Sequence, residues 1–316
     1  MSNALAAVVP RAPRRQVWSV GGGKGGIGKS VLTAALGWQL ARLGKRVVLV
    51  DADLGGANLH TCLGVPAPQR SLADFVMRRV ERIEDVAVET NFPRLRLISG
   101  AADLFSAANI KHQQKVRLLS RLRAIDADII LMDLGAGTSF NIIDFFLVSD
   151  VSLLVVVPEP TSVENGYRFI KSALFRRLRA ACDDVAAREI LDFAMDPSNL
   201  RGIRTPVELL SAVENECPAA LPALQAALAA FQPRFLVNQV RGPADAAIGP
   251  QLVTACARHL GVRATNAGFV YHDDAVWQAV RQRRLFVAED PEGKAAQNVR
   301  QIARGLLQGE PMSFDW

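Results

Sequence analysis

The 316-residue chain carries 37 basic and 31 acidic side chains, a net charge of +6, and half of its residues are hydrophobic. That balance suits a packed globular protein and excludes disorder over most of the length. No apolar run approaches the roughly 18 residues of a membrane span, and cysteines 62, 182, 217 and 256 form no CxxC pair, so neither a disulfide framework nor a paired-thiolate metal site is expected.

Residues 1–16 read as a flexible basic arm, because Pro10 and Pro13 block a helix and Arg11, Arg14 and Arg15 supply charge. The arm lacks the long apolar core of a secretory signal, so a cytoplasmic chain is expected. Short aliphatic runs follow at 17–20, 47–50, 95–98, 129–132, 153–157 and 235–237. Continuous runs of that kind suit strands buried on both faces. Between them, 31–43, 111–124, 163–178 and 246–260 place apolar residues at helical spacing. The alternation predicts an α/β fold with a doubly wound, mostly parallel sheet, as one domain over 17–308. Residues 179–232 break the pattern with Ala, Leu and acidic residues, which predicts a helical insertion. A last helix over 294–307 sets Val299, Ile302 and Leu306 on one face for packing on the sheet. The tail, 309–316, has no Lys or Arg, so no basic lipid anchor is expected there.

Only seven of the basic residues are lysines, yet Lys24 and Lys29 stand within six positions of each other. They belong to Gly21-Gly22-Gly23-Lys24-Gly25-Gly26-Ile27-Gly28-Lys29-Ser30, which satisfies G-x-x-x-x-G-K-[ST] between a predicted strand and a predicted helix. Glycines 25, 26 and 28 let backbone amides converge on phosphate oxygens, and the helix that follows adds its positive end. Lys29 is expected to neutralise the β- and γ-phosphates and the Ser30 hydroxyl to ligate Mg²⁺. Gly23, Ile27 and Val31 complete the candidate loop.

The segment 24–30 resembles the deviant Walker A box of the MinD/ParA family of dimeric ATPases. The resemblance implies ATP as the nucleotide and a homodimer in which Lys24 reaches the partner's nucleotide, doing electrostatically what an arginine finger does elsewhere. Asp51-Ala52-Asp53 at the next strand end resembles the family's switch I. This assigns Asp53 to orienting the attacking water and both carboxylates to the metal's surroundings. Asp133-Leu134-Gly135-Ala136-Gly137 matches a Walker B aspartate and switch II, with Asp133 on Mg²⁺ through water and the Gly137 amide sensing the γ-phosphate. Residues 156–162 resemble the family's strand and loop near the dimer face. The run 235–240 places Asn238 where the family reads the adenine edge, although the residue by itself also suits a loop cap. Residues 269–276 and 278–281 are most like the FlhG/FleN branch, regulators of flagellar number related to MinD; His272 among them reads as a loop residue.

The resemblance thus implies a slow ATP hydrolase and dimerisation switch, answering to an activating protein, that positions or counts a structure such as flagella or a division or polar complex. An alternative is a partition-type ATPase that binds nonspecific DNA through Arg176-Arg177-Leu178-Arg179 and Arg281-Gln282-Arg283-Arg284. Those runs equally suit solvated helix faces. A metal-cluster carrier of the same fold would need closely placed cysteines. Neither a peripheral membrane surface nor a nucleoid surface is evident in the residues.

Overall fold

The aliphatic runs assemble into one sheet. The computed structural model describes residues 15–309 except 54–55, 101–111, 197–198, 200 and 204. Its strands are β1 (Gln16–Gly22), β2 (Val47–Asp51), β3 (Ala87–Glu89), β4 (Leu95–Ile98), β5 (Ile129–Ala136), β6 (Val151–Val156), β7 (Arg234–Val240) and β8 (Thr265–Tyr271). They lie in the order β3-β4-β2-β5-β1-β6-β7-β8, parallel throughout except for the antiparallel edge pair β3–β4. The expected mostly parallel sheet is therefore present.

Helices fill the crossovers. α1 (Lys29–Arg42) joins β1 to β2, α2 (Leu59–Cys62) and α3 (Leu72–Val76) follow β2, and α4 (His112–Ala124) and α5 (Phe140–Leu147) flank β5. The β6–β7 crossover holds α6 (Pro160–Ala181), α7 (Val185–Met195), α8 (Pro206–Glu216) and α9 (Leu221–Ala229). α10 (Pro243–Ala246) and α11 (Ile248–Leu260) precede β8, while α12 (Asp274–Arg281), α13 (Phe286–Glu289) and α14 (Lys294–Gln308) follow it.

Alternate residues of each strand feed two cores, which is why the runs are apolar without a break. Val48, Val50, Ile130, Met132, Leu154 and Val156 pack with the helices from α3 to α9 and with α11. Trp18, Val20, Leu49, Leu131 and Val155 pack with α1, α13 and α14 on the opposite face. The insertion is helical as expected. Asp184 caps α7 by accepting from the Ala187 amide, and Thr205 and Glu208 form a capping box on α8.

Three details depart from the sequence reading. The basic arm ends earlier than residue 16: Gln16 opens β1 and Arg15 donates to the Ala124 carbonyl. β8 escaped the reading because it begins with Thr265 and Asn266 and contains Gly268, at φ +111°, beside a bulge in its pairing with β7. α6 starts at Pro160, where a proline fits the first helical turn. Residues 1–14 of the arm, 310–316 of the tail, Lys111, and Leu54 and Gly55 of the switch I segment lie outside the described residues.

β1 sits between β5 and β6, so the chain leaves its two sides in opposite directions. A crevice forms at the carboxyl ends of strands at such a reversal, where ligands bind in open α/β sheets.

Candidate functional site

The loop 21–30 emerges from β1 into this crevice, and its glycines are there for steric reasons. Gly28 takes φ +86°, and a Cβ on it would stand 2.5 Å from Asn238 Nδ2. At Gly23 a Cβ would fall 2.5 Å from the carbonyl oxygen of Asn165, so the loop lies directly against the backbone of α6. Lys29 opens α1 and is 8% exposed; its Nζ donates to the Lys24 carbonyl at 3.2 Å, folding the ammonium back over the loop. Burial holds its pKa below the usual lysine value, with Asp133 and Asp53 opposing the shift. An anion beside it would restore what burial removes.

The lysine at position 24 points the other way. Its Nζ lies 2.6 Å from Glu159 Oε2 and 3.4 Å from Thr161 Oγ1, at the start of α6. The partner of Lys24 in this chain is therefore a carboxylate of the same chain, in the segment 156–162 that the sequence singled out.

Parallel register places Asp51 opposite Asp133 at the ends of β2 and β5. Both are buried, and burial lifts both carboxyls, Asp51 to about 7 and Asp133 to about 6. Asp51 is further raised by Asp133, yet its oxygens accept from the amides of Leu59 at 3.0 Å and Asp53 at 3.2 Å. Asp133 is held down by the hydroxyls of Ser30 and Thr33 and by Lys29. The Thr33 hydroxyl lies 3.0 Å from Asp133 Oδ1 and 2.9 Å from the Lys29 carbonyl. Thr33 is not among the residues expected at the site; its signal is its position one helical turn beyond Lys29.

Asp53 stands partly exposed above switch II. A Cβ on Gly135 would be 3.2 Å from its Cγ, so the carboxylate covers that glycine. The Gly137 amide, expected to face a γ-phosphate, donates instead to the Gly22 carbonyl at 3.2 Å. In this arrangement the Gly137 amide is taken by that carbonyl.

Asn238 brings the far half of the chain to the loop. Its Nδ2 donates to the Ile27 carbonyl at 2.9 Å. Beside it opens a cavity of about 580 Å³, bounded by Val31 and Leu32 of α1, by Asn238 and Gln239, and by residues from Val270 to Val280. His272 lines it too, so this loop residue belongs to the site. The structure thus brings together Gly23 to Val31, Asp51, Asp53, Asp133, Gly137 and Asn238. Of the arginine runs, Arg281 lies over the ring of Trp277, which lines the cavity. Arg176 pairs with Asp144, Arg179 with Asp192 and Arg284 with Glu289, while Arg177 donates to the Ala227 carbonyl.

The family profile ParA, described as NUBPL iron-transfer P-loop NTPase, matches residues 14–179, just over half of the chain. The chain belongs to the ParA/MinD family of P-loop NTPases. Antiactivator FleN of Pseudomonas aeruginosa is 37% identical over 158 residues, 49% of this chain and 55% of that protein. The septum site-determining protein MinD of Helicobacter pylori is 32% identical over 155 residues, 49% of this chain and 57% of its own. This ParA/MinD chain spans about half the length of the curated relatives it matches. The structure of MinD complexed with Mg-ADP from Pyrococcus horikoshii superposes with a TM-score of 0.62 at 22% identity, covering 95% of this chain and 100% of that one. That likeness shows the fold. As for the iron transfer in the profile's description, among the described residues no three His, Cys, Asp or Glu side chains are grouped to hold a metal ion. All four cysteines are free thiols.

Proposed function

We propose that this ParA/MinD chain is a slow ATPase that dimerises when ATP is bound and thereby sets the place or number of a cellular structure. The observation that carries the reading is the divergence of the two loop lysines. Lys29 folds inward over the loop, while Lys24 is held at the surface by one exposed carboxylate. A cation so placed is available to a second copy.

The residues fit nucleotide and metal. Bare backbone at Gly26 and Gly28, both at positive φ, exposes amides to phosphate oxygens, and Lys29 supplies charge. Mg²⁺ would be held by the Ser30 hydroxyl and, through water, by Asp51 and Asp133, and its chemistry is to neutralise charge on the phosphates. Few protein ligands are needed, since Mg²⁺ keeps several waters. A water-orienting role for Asp53 is supported by its partial exposure beside Gly135. Because the Ile27 carbonyl can only accept, Asn238 must turn Nδ2 toward it. Its Oδ1 is then left for a donor, which suits the amino group of adenine and not the carbonyl of guanine.

The cellular role rests on the relatives. An antiactivator, septum site-determining proteins and the flagellum site-determining protein YlxH of Helicobacter pylori match over about half of this chain. An activating protein partner and a peripheral surface complete the proposal. Light scattering of the purified protein with ATP and with ADP tests the switch; doubled mass with ATP alone is expected. Lys29→Ala should abolish nucleotide binding, and retained affinity in that variant would remove the site.

A further inference from the structure

The helix α12 has the wrong packing for a merely structural element. Of its eight residues only Ala279 is buried, while Val276, Trp277 and Val280 border the cavity beside Asn238. Trp277 is 60% exposed, a large cost in apolar surface for a soluble fold. The Arg281 guanidinium, one turn along the same helix, sits over its ring at 4.7 Å. Val31 and Leu32 of α1 line the same cavity. The cavity thus draws apolar side chains from both helices and is bordered by Asn238.

We propose that Trp277 is a base-binding residue: its ring closes the cavity against the flat face of the nucleotide base, and Arg281 holds the ring in place from outside. This deepens the nucleotide reading and rests on it. Asn238 grips a base by one edge, and the small aliphatic side chains of Val31 and Leu32 offer no flat surface to its faces. An indole is the largest flat apolar surface a side chain offers, and stacking is tolerant of which base is stacked. Trp277 therefore contributes affinity, while Asn238 contributes the choice of base.

The test compares ADP binding by the full chain and its variants in Mg²⁺ buffer, using a monomer-forming nucleotide so that dimer contacts do not enter. Trp277→Ala is expected to weaken ADP by on the order of tenfold, and GDP in the same proportion. Trp277→Phe should retain most of the affinity. Inorganic tripolyphosphate, which has no base, should bind the parent and Trp277→Ala equally. In a Trp316→Phe background ADP should quench the tryptophan emission, and adding Trp277→Phe should remove that response, since the two remaining tryptophans, Trp18 and Trp38, are buried. Unchanged ADP affinity in Trp277→Ala would overturn the proposal. So would an equal loss for tripolyphosphate, which would mark a deformed loop. A parent that binds neither ADP nor tripolyphosphate would instead remove the nucleotide reading itself. Because Trp277 is largely exposed, the variant should melt with the parent; if it does not fold, the emission of Trp277→Phe still decides.

Discussion

Lys24 and Glu159 form an ion pair of 2.6 Å that ties the phosphate loop to the first residue before α6, 135 positions away. Both side chains are substantially exposed, and pairs of that kind contribute about 1 kcal/mol or less. Releasing Lys24 toward another copy therefore costs little. Glu159→Gln is expected to leave ADP affinity unchanged and to ease ATP-dependent dimer formation. Lys24→Ala should lower phosphate release by one or more powers of ten while ADP still binds. A slower-dimerising Glu159→Gln would show that the carboxylate belongs to the dimer contact and not to a resting latch.

Asp53 is separable from the phosphate cradle, since its carboxylate covers Gly135 and not the loop. Asp53→Ala should bind ATP as the parent does and hydrolyse it at least a hundredfold more slowly, on the scale of a lost general base or water-orienting group. The ATP dimer should then persist through gel filtration. Parent-like turnover would transfer the role to another carboxylate.

Asp51 and Asp133 give the metal-free protein a defined response to pH. A folded-state pKa lifted above the unfolded value means that the folded state binds the extra proton, so stability falls as pH rises through the interval. For Asp51 the interval runs from about 4 to about 7 and for Asp133 from about 4 to about 6. In the absence of Mg²⁺, the melting temperature should therefore fall between pH 5 and pH 8. Asp51→Asn should flatten the fall by removing one of the two groups. A steeper slope in that variant would show that the fall has another origin.

Asn238→Ala should cut the preference for ATP over GTP several-fold to about tenfold, the worth of one hydrogen bond. It should also slacken the loop by freeing the Ile27 carbonyl. Competition binding with the two nucleotides measures the ratio, and an unchanged ratio would leave Asn238 as a loop buttress alone.

How much could be read from the chain follows the range of the interactions. The phosphate loop is local, so ten consecutive residues with their flanking strand and helix suffice to place it. Asp51 and Asp133 are legible because each ends a short aliphatic run, with Asp53 two residues further on, and parallel strands deliver their ends to one edge. Thr33 is not, because its bond to Asp133 joins residues 100 apart and leaves no trace in the composition of α1. The base site was half legible. Asn238 stood out by resemblance, but Trp277 reads as ordinary amphipathic helix until β8 is known to end beside it. The ion pairs of Arg176, Arg179 and Arg284 are not legible in their runs, because the carboxylates Asp144, Asp192 and Glu289 lie elsewhere in the sequence or on a later turn.

The helices α7 to α9 leave and re-enter the sheet at β6 and β7, which are hydrogen-bonded neighbours paired from Leu153 with Arg234 to Val156 with Val237. Four adjoining strand positions thus anchor a crossover whose outward-facing residues can change without altering the register that holds the phosphate loop, while Ile190, Leu191, Leu209, Val213 and Leu224 stay tied to the core. On the exposed faces of α7 and α8, where Val185 and Val207 already meet solvent, a relative can acquire a new docking surface while keeping an unchanged nucleotide edge.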